Sequence, residues 1–162
     1  MRVPPPPMSA TTLRRALPAD AEAVRALVRQ AYAKWVPVIG REPKPMTANY
    51  ATAVRLNRID LAYEGDEKGA ELAGLIETID RADHLLIENV AVAPAFQGRG
   101  LGRALIAHAE RLAAMVGYRY LRLYTNKAFA ENVALYLKLG FRIDREEPFL
   151  GGVTVYMSKS VP

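Results

Sequence analysis

Apolar positions along the chain recur with two different periods, and each period predicts one kind of secondary structure. Between Asp20, a candidate N-cap, and Trp35 they recur at i, i+3 and i+4, as in a helix with one buried face: Val24, Leu27, Val28, Ala31, Tyr32, Trp35. A second helix is predicted from Leu101, Leu105, Ala109, Leu112 and Val116, with Gly117 placed to end it. A third covers Ala130–Leu139 and ends at Gly140.

The remaining apolar segments alternate or form short runs, which favours strands. They are Thr11–Ala16, Ile59–Glu64, Glu71–Ile79, Leu85–Val92, Tyr118–Thr125, Phe141–Glu146 and Val153–Lys159. The stretch 36–46, VPVIGREPKPM, contains three prolines and a glycine and is predicted to be a loop. Thr47 is then the candidate cap of a short helix that runs through Asn57. The order of elements predicts a mixed α/β (α+β) domain with a central sheet.

Length and composition point to one globular domain. The chain has 162 residues, 51% apolar and 24% charged, with no apolar run of the roughly 18 residues that a membrane span needs. Because Pro4–Pro7 favours an extended chain without backbone donors, residues 1–9 are predicted to be a flexible tail and 10–162 a single domain. This N-terminus lacks the apolar region of a signal peptide, so we expect a cytoplasmic protein that does not associate with membranes.

The residue inventory excludes several chemistries. The sequence has no cysteine, which removes disulfides, thiolate metal sites and a cysteine nucleophile. Its two histidines, His84 and His108, lie in no metal-ligand spacing, so no metal is expected. The net charge of +5 is uneven, since residues 1–57 hold nine Lys/Arg against three Asp/Glu. The cations are spaced along helices rather than clustered, and we therefore expect a solvated surface instead of a nucleic-acid site.

The most informative stretch is ENVAVAPAFQGRGLGRAL, residues 88–105, where a strand leads through a glycine-rich loop into a helix. Gly98, Gly100 and Gly102 allow the backbone to approach a ligand, and the helix start offers unpaired N–H groups and a positive dipole end. These features predict a phosphate or pyrophosphate site, to which Arg99 and Arg103 add charge. Because residue 103 is not glycine and no Gly-Lys-Ser/Thr follows, the loop is neither a dinucleotide fingerprint nor a P-loop.

Two motifs resemble those of the GNAT superfamily of acetyl-coenzyme A-dependent N-acetyltransferases. Gln97-x-x-Gly100-x-Gly102 resembles its Gln/Arg-x-x-Gly-x-Gly/Ala signature, and LYLKLGF, residues 135–141, resembles its Leu-Tyr-x-x-x-Gly-Phe signature. One helix and one strand separate the two, as in that family. The resemblance implies a central, mostly antiparallel sheet of about seven strands flanked by four helices.

The resemblance also implies a site for acetyl-coenzyme A. Main-chain groups of Val90, Ala91 and Val92 would pair with the pantetheine arm like an added strand. The N–H groups of the loop and first turn would hold the pyrophosphate, with the cofactor-binding set comprising Gln97, Gly98, Arg99, Gly100, Leu101, Gly102 and Arg103. Asn132, one turn before Tyr136, is a further candidate; Asn126 is an alternative, because the position where many members carry Asn is Phe129 here.

For the chemistry, acetyl transfer needs a neutral amine, oxyanion stabilisation and a proton for the leaving thiolate. Tyr136 matches the family's general acid, since a phenol with a pKa near ~10 stays protonated at neutral pH. Glu88 is the candidate base, directly or through water, although direct attack by an already neutral amine needs none. A backbone N–H near Val90 is the candidate oxyanion donor.

The acceptor is left open by the sequence. Tyr32, Trp35, Arg41, Met46 and Tyr50 could line an apolar pocket with one cation, for a small-molecule or peptide amine. A non-catalytic sensor of acyl-coenzyme A is the alternative function, against which the retained Tyr136 argues. A homodimer is one possible assembly.

Overall fold

The computed structural model describes residues 11–66 and 68–162, and these contain one seven-stranded sheet in the order β1-β2-β3-β4-β5-β7-β6. The predicted tail of residues 1–9 lies outside the described residues. The strands are β1 (Thr11–Arg15), β2 (Arg58–Glu64), β3 (Glu71–Asp80), β4 (His84–Val92), β5 (Tyr120–Asn126), β6 (Arg142–Phe149) and β7 (Gly152–Ser160). All neighbours are antiparallel except β4 and β5, which run parallel, so the prediction of a mostly antiparallel seven-stranded sheet is confirmed.

The helices are α1 (Ala21–Tyr32), α2 (Val36–Ile39), α3 (Lys44–Thr47), α4 (Tyr50–Leu56), α5 (Leu101–Val116) and α6 (Ala130–Lys138). Short 3-10 turns cover Pro18–Asp20, Ala33–Trp35 and Pro94–Phe96. The four longer helices, α1, α4, α5 and α6, are those that the sequence predicts, while α2 and α3 are single turns of four residues each. Within the described part of the chain, none of the helices has both the length and the hydropathy that crossing a bilayer requires.

The sheet separates two apolar cores. On one face α1 and α4 pack against β2–β4 through Val24, Val28, Tyr50, Val54 and Leu61, among others. On the opposite face α5 buries Leu101, Leu105, Ile106, Ala109 and Ala113, and α6 adds Tyr136 and Leu139 at the margin. Each large aliphatic side chain buried in this way contributes roughly 1.5–3 kcal/mol, so the two helical layers fix the sheet from both sides.

Helix α5 packs unusually close to β3 because residue 74 is glycine. A Cβ atom at Gly74 would lie 2.9 Å from the Ala91 carbonyl oxygen, 3.1 Å from a Leu101 methyl carbon and 3.3 Å from one of Leu105. Glycine therefore allows the first turn of α5 to lie directly on the sheet, which positions the glycine-rich loop before it.

The segment 36–46, predicted as a loop, departs from that prediction because most of it is helical. Pro37 and Pro45 each lie in the first turn of a helix, where a missing N–H costs nothing. The prediction of Thr47 as the next N-cap was also wrong: Asn49 caps α4, and its side chain accepts a 3.1 Å hydrogen bond from the Thr52 N–H. Asp20 does precede α1, but its carboxylate binds Arg14 and the Leu17 N–H instead of capping the helix.

Candidate functional site

Strands β4 and β5 separate halfway along their length and leave a gap in the sheet. Their pairing covers His84–Ile87 opposite Tyr120–Leu123, whereas β4 continues to Val92 along β3. Ala93 N–H donates to the Ala73 carbonyl, and alternate residues of an antiparallel strand bond to the same neighbour. The main-chain groups of Ala91 therefore point to β3, and those of Val90 and Val92 point into the gap. This geometry fits an extended arm that pairs with the strand edge.

The glycine-rich loop lies at one end of this gap and starts α5. Gly98 and Gly100 adopt φ values of 78° and 85°, and Gly100 is the N-cap of the helix. A Cβ atom built at either glycine would have no other atom within 4 Å, so the space beside both residues is open. The unpaired N–H groups of the first turn of α5 therefore face a site suited to an anion.

Three polar side chains surround the loop, and their positions differ. Arg103 lines the groove beside Gly102, as predicted for a charge near the anion. Gln97 instead closes the loop, because its Nε2 donates a 3.0 Å hydrogen bond to the Val92 carbonyl and its Oε1 accepts from Lys34. The Arg99 guanidinium lies 5.5 Å from the centre of the Phe96 ring, outside the groove lining. Of the two arginines, only Arg103 lines the groove.

The groove continues from the loop toward Tyr136 and has a volume of about 410 Å³. Its wall includes the predicted catalytic Tyr136 and most of the predicted cofactor residues: Val90, Ala91, Val92, Gln97, Gly98, Gly100, Leu101, Gly102, Arg103 and Asn132. Asn126 lies elsewhere, and its Oδ1 accepts a hydrogen bond from the Ala128 N–H. Of the two asparagines considered, Asn132 is thus the one in the groove. An anion site, a free strand edge and an elongated cavity together fit a coenzyme A molecule.

Tyr136 lies half-buried in the groove wall on α6. Its ring packs edge-on against Phe141 at a centroid distance of 5.8 Å. Burial raises the pKa of Tyr136 to about 12, because the phenolate is poorly solvated there. The hydroxyl is therefore protonated at neutral pH and able to donate a proton or a hydrogen bond.

Glu88 is the extra residue of a β-bulge in β4. Glu77 of β3 pairs with Asn89, but the next residue, Thr78, pairs with Ile87, so Glu88 has no opposite partner in β3. Bulges re-aim side chains and are frequent next to active sites. The half-buried Glu88 carboxylate accepts a 2.9 Å hydrogen bond from the Tyr124 hydroxyl, and both side chains line a second cavity.

This second cavity, the acceptor cavity, lies on the α1–α4 side of the gap and has a volume of about 370 Å³. Its wall combines sheet residues with the segment between α2 and α4, and it includes Tyr32, Arg41, Lys44, Tyr50, Asn57, Glu77, Glu88, Asn89 and Tyr124. Tyr32 lines both this cavity and the groove. Tyr32 therefore forms a wall that the two spaces share.

A chain of hydrogen bonds holds Tyr32 in this shared wall. Its hydroxyl lies 2.7 Å from Asn89 Oδ1 and 3.3 Å from the Val90 carbonyl oxygen. Asn89 Nδ2 donates to the Tyr50 hydroxyl at 3.2 Å, which donates to the Pro45 carbonyl at 2.6 Å. Burial raises the pKa of Tyr32 and Tyr50, so both remain protonated donors. The chain ties α1, β4, α4 and the α3 segment together around the site.

The acceptor cavity differs from the predicted apolar pocket in the residues that line it. It contains Lys44, Glu77 and Glu88 in addition to the one predicted cation, Arg41. Tyr32, Arg41 and Tyr50 line it as predicted, but Trp35 lines the groove and stacks on Phe129 at 4.6 Å. Met46, only 5% exposed, is a core residue outside the cavity lining.

The prediction from sequence missed Glu77, Lys44 and Asn89. Polar residues inside the otherwise apolar strands β3 and β4 were the available signal for Glu77 and Asn89. Across residues 11–66 and 68–162, His, Asp and Glu side chains nowhere gather in a group of three or more that could hold a metal ion.

Comparison with known proteins agrees with this geometry. The model of the acetyltransferase (GNAT) family matches residues 24–141. A Desulfovibrio desulfuricans structure assigned to the same family has a TM-score of 0.76 and 24% identity, over 94% of this chain and 100% of that one. The Salmonella typhimurium yncA structure, solved with its cofactor acetyl-coenzyme A, has a TM-score of 0.70 and 20% identity, over 95% of each chain. The PaiA N-acetyltransferase of Thermoplasma acidophilum, in complex with coenzyme A, has a TM-score of 0.75 and 16% identity, over 93% of this chain and 99% of that one.

Proposed function

The chain belongs to the GNAT family of acetyltransferases, and we propose that it moves the acetyl group of acetyl-coenzyme A to a primary amine. The observation that carries this proposal is a pair of adjacent cavities that share Tyr32 as a wall. One cavity offers the anion site and strand edge that suit the cofactor, and the other offers a carboxylate that suits an amine. Two related proteins are solved with acetyl-coenzyme A or coenzyme A in the same fold, which supports this assignment of the groove.

In the proposed complex the main chain holds most of the cofactor. The N–H groups at the start of α5 bind the pyrophosphate, and Arg103 neutralises part of its charge. The Val92 N–H faces the pantetheine arm, and so do the carbonyls of Val90 and Val92, each of which also accepts one side-chain hydrogen bond, from Tyr32 and Gln97. When bound, the cofactor supplies a thioester whose carbonyl carbon is open to attack by a nucleophile.

The acceptor amine enters from the acceptor cavity and must lose its proton before it attacks. Glu88 takes that proton, directly or through water, while the Tyr124 hydroxyl keeps the carboxylate in place. The amine nitrogen then bonds to the carbonyl carbon, the nitrogen releases its second proton to solvent water, and the carbon–sulfur bond breaks. The Val90 N–H, which faces the gap, donates to the developing oxyanion.

Tyr136 completes the reaction as general acid. Its pKa of about 12 keeps the phenol protonated across the neutral range, and its place in the groove wall makes it available to the leaving thiolate. The proton that Tyr136 gives up is regained from solvent as coenzyme A leaves. Tyr32, whose hydroxyl is already committed to Asn89 and Val90, is the less suitable donor.

The experiment that tests the function is a screen of primary amines with acetyl-coenzyme A that measures the release of free thiol. We expect at least one amine to give multiple turnovers. A non-catalytic sensor would bind coenzyme A in calorimetry yet release no thiol above the hydrolysis background with any amine. Binding of coenzyme A without thiol release would show that the protein is a sensor and not an acetyltransferase.

A matched pair of variants tests the cofactor site separately. Gly100 and Gly117 both adopt a left-handed conformation, at the start and the end of α5, and a Cβ at either position would have no atom within 4 Å. Alanine at either position costs similar backbone strain, roughly 1 kcal/mol. We expect Gly100→Ala to weaken coenzyme A binding at least tenfold and Gly117→Ala to leave it unchanged. Equal affinities in the two variants would remove the loop from the cofactor site.

A further inference from the structure

The acceptor cavity carries two charges of each sign, placed on different walls. Glu77 and Glu88 belong to adjacent strands of the sheet, whereas Arg41 and Lys44 belong to the segment between α2 and α4. Among the described residues, 11–66 and 68–162, no ion pair includes any of these four side chains. Charged groups in a concave site without protein counterions are suited to binding charges of a ligand.

The carboxylate wall favours a cation. Glu77 is only 4% exposed, and its Oε2 accepts a 2.8 Å hydrogen bond from Asn57. Burial raises the pKa of Glu77, and the negative charge of Glu88 raises it further. An ammonium group between the two strands would offset both effects, because it supplies the opposite charge that this wall lacks.

The basic wall favours an anion. The half-buried Arg41 guanidinium lies 5.7 Å from the centre of the Phe149 ring and donates only a long bond, 3.4 Å, to the Glu42 carbonyl. The neighbouring Glu42 carboxylate is bound by Arg29 at 2.7 Å and does not neutralise Arg41. Lys44 Nζ lies 5.7 Å from the centre of the Tyr124 ring, whose hydroxyl donates to Glu88. A guanidinium with free N–H groups is the donor that best matches a planar acid group.

We propose that the acceptor is a small zwitterion of the amino-acid class, with its amine at Glu88 and Glu77 and its acid group at Arg41 and Lys44. This inference rests on the proposed acetyltransferase function. A diamine would bring its second ammonium toward Arg41 and Lys44, and a simple anion would face two carboxylates. Only a ligand with both signs pairs with both walls, and a cavity of about 370 Å³ holds a molecule of this size.

The test compares each L-amino acid with its own carboxamide as acceptor, by kcat/KM at saturating acetyl-coenzyme A. The pair has the same side chain and differs in the negative charge. The amine of the carboxamide is less basic, so more of it is neutral at pH 7 and chemistry alone favours the amide. We expect the free acid to be the better substrate by about 10-fold or more, in the range of a charged hydrogen bond.

Arg41→Gln locates the acid group, with Arg55→Gln as the matched control. Arg55 is an exposed residue of α4 outside the cavity, and its replacement makes the same change in net charge. We expect Arg41→Gln to raise the KM of the free acid about 10- to 100-fold and to change that of the carboxamide by less than about threefold. Arg55→Gln should alter neither value.

Three outcomes would overturn the zwitterion proposal while leaving the acetyltransferase intact. They are equal or better turnover of the carboxamides, efficient turnover of diamines or peptides alone, and an equal effect of Arg41→Gln on acid and amide. In each of them thiol is still released in an amine-dependent manner. If no amine releases thiol although coenzyme A binds, the proposed function itself fails and this inference fails with it.

Discussion

Replacing Gly74 by alanine should destabilise the protein, because the new methyl group has no room between β3 and α5. It would lie 2.9 Å from the Ala91 carbonyl oxygen, 3.1 Å from Leu101 and 3.3 Å from Leu105. The Leu side chains can give way, but the carbonyl belongs to β4 and cannot. Overpacking of this kind costs ~1–3 kcal/mol, and the lower entropy of the unfolded alanine chain returns ~0.4–1 kcal/mol. We therefore expect a net loss of about 1–2 kcal/mol.

Urea denaturation measures this change in the free energy of unfolding, and thermal unfolding should show a Tm lower by roughly 2–8 °C for a chain of this length. The matched control is Gly69→Ala, since the nearest atom to a Cβ there, Asp66 Oδ1, lies 3.8 Å away. That variant should stay within about 0.5 kcal/mol of the parent. Because Leu101 follows the glycine-rich loop directly, Gly74→Ala should also weaken coenzyme A binding. An unchanged free energy of unfolding in Gly74→Ala would refute the close contact of residue 74 with the Ala91 carbonyl oxygen.

Three further predictions concern the site and its tyrosines. Tyr136→Phe should lower kcat about 100- to 10,000-fold with little change in acetyl-coenzyme A affinity, and a kcat within about threefold of the parent would remove Tyr136 from the mechanism. Glu88→Gln should lower kcat/KM by about 100-fold at pH 7 and by less at pH 10, where most of the amine is neutral; a loss independent of pH would argue against a base. Burial raises the pKa of Tyr136 to about 12, so the folded state keeps its proton where the unfolded state, near pH 10, loses it. The stability present below pH 10 should therefore fall as pH rises toward 12, and Tyr136→Phe should show a shallower fall in urea denaturation.

The sequence predicts most of the fold because its signals are local. The 3.6-residue period of α1 and α5 comes from side chains that meet one core face, and Gly117 ends α5 in a left-handed conformation as its position suggests. The glycine-rich loop is local as well, since its main chain makes the proposed anion site. Main-chain sites of this kind depend on glycine spacing and a helix start, and both can be recognised in the amino-acid sequence.

The acceptor cavity was predicted less well because long-range pairing builds it. Glu77 enters the site only through the register of β3 and β4, and the bulge at Glu88 depends on how those strands twist against each other. The short helices α2 and α3 were missed because proline in the first turn permits a helix that proline elsewhere would break. Cytoplasmic location, a homodimer and the absence of nucleic-acid binding stay predictions.

The same division between local and long-range structure explains how the site can separate catalysis from specificity. The cofactor groove is lined by residues of β4, the glycine-rich loop and the start of α5, together with residues of α1, the turn after it and α6. The basic wall of the acceptor cavity comes from a segment between α1 and α4 that lies outside the sheet. Substitutions at Arg41 or Lys44 can therefore change which amine is accepted without moving the strand edge or the helix start. By this reasoning the preference for the acceptor's acid group is encoded in residues 36–49, and much of the acetyl-donor site in residues 90–103.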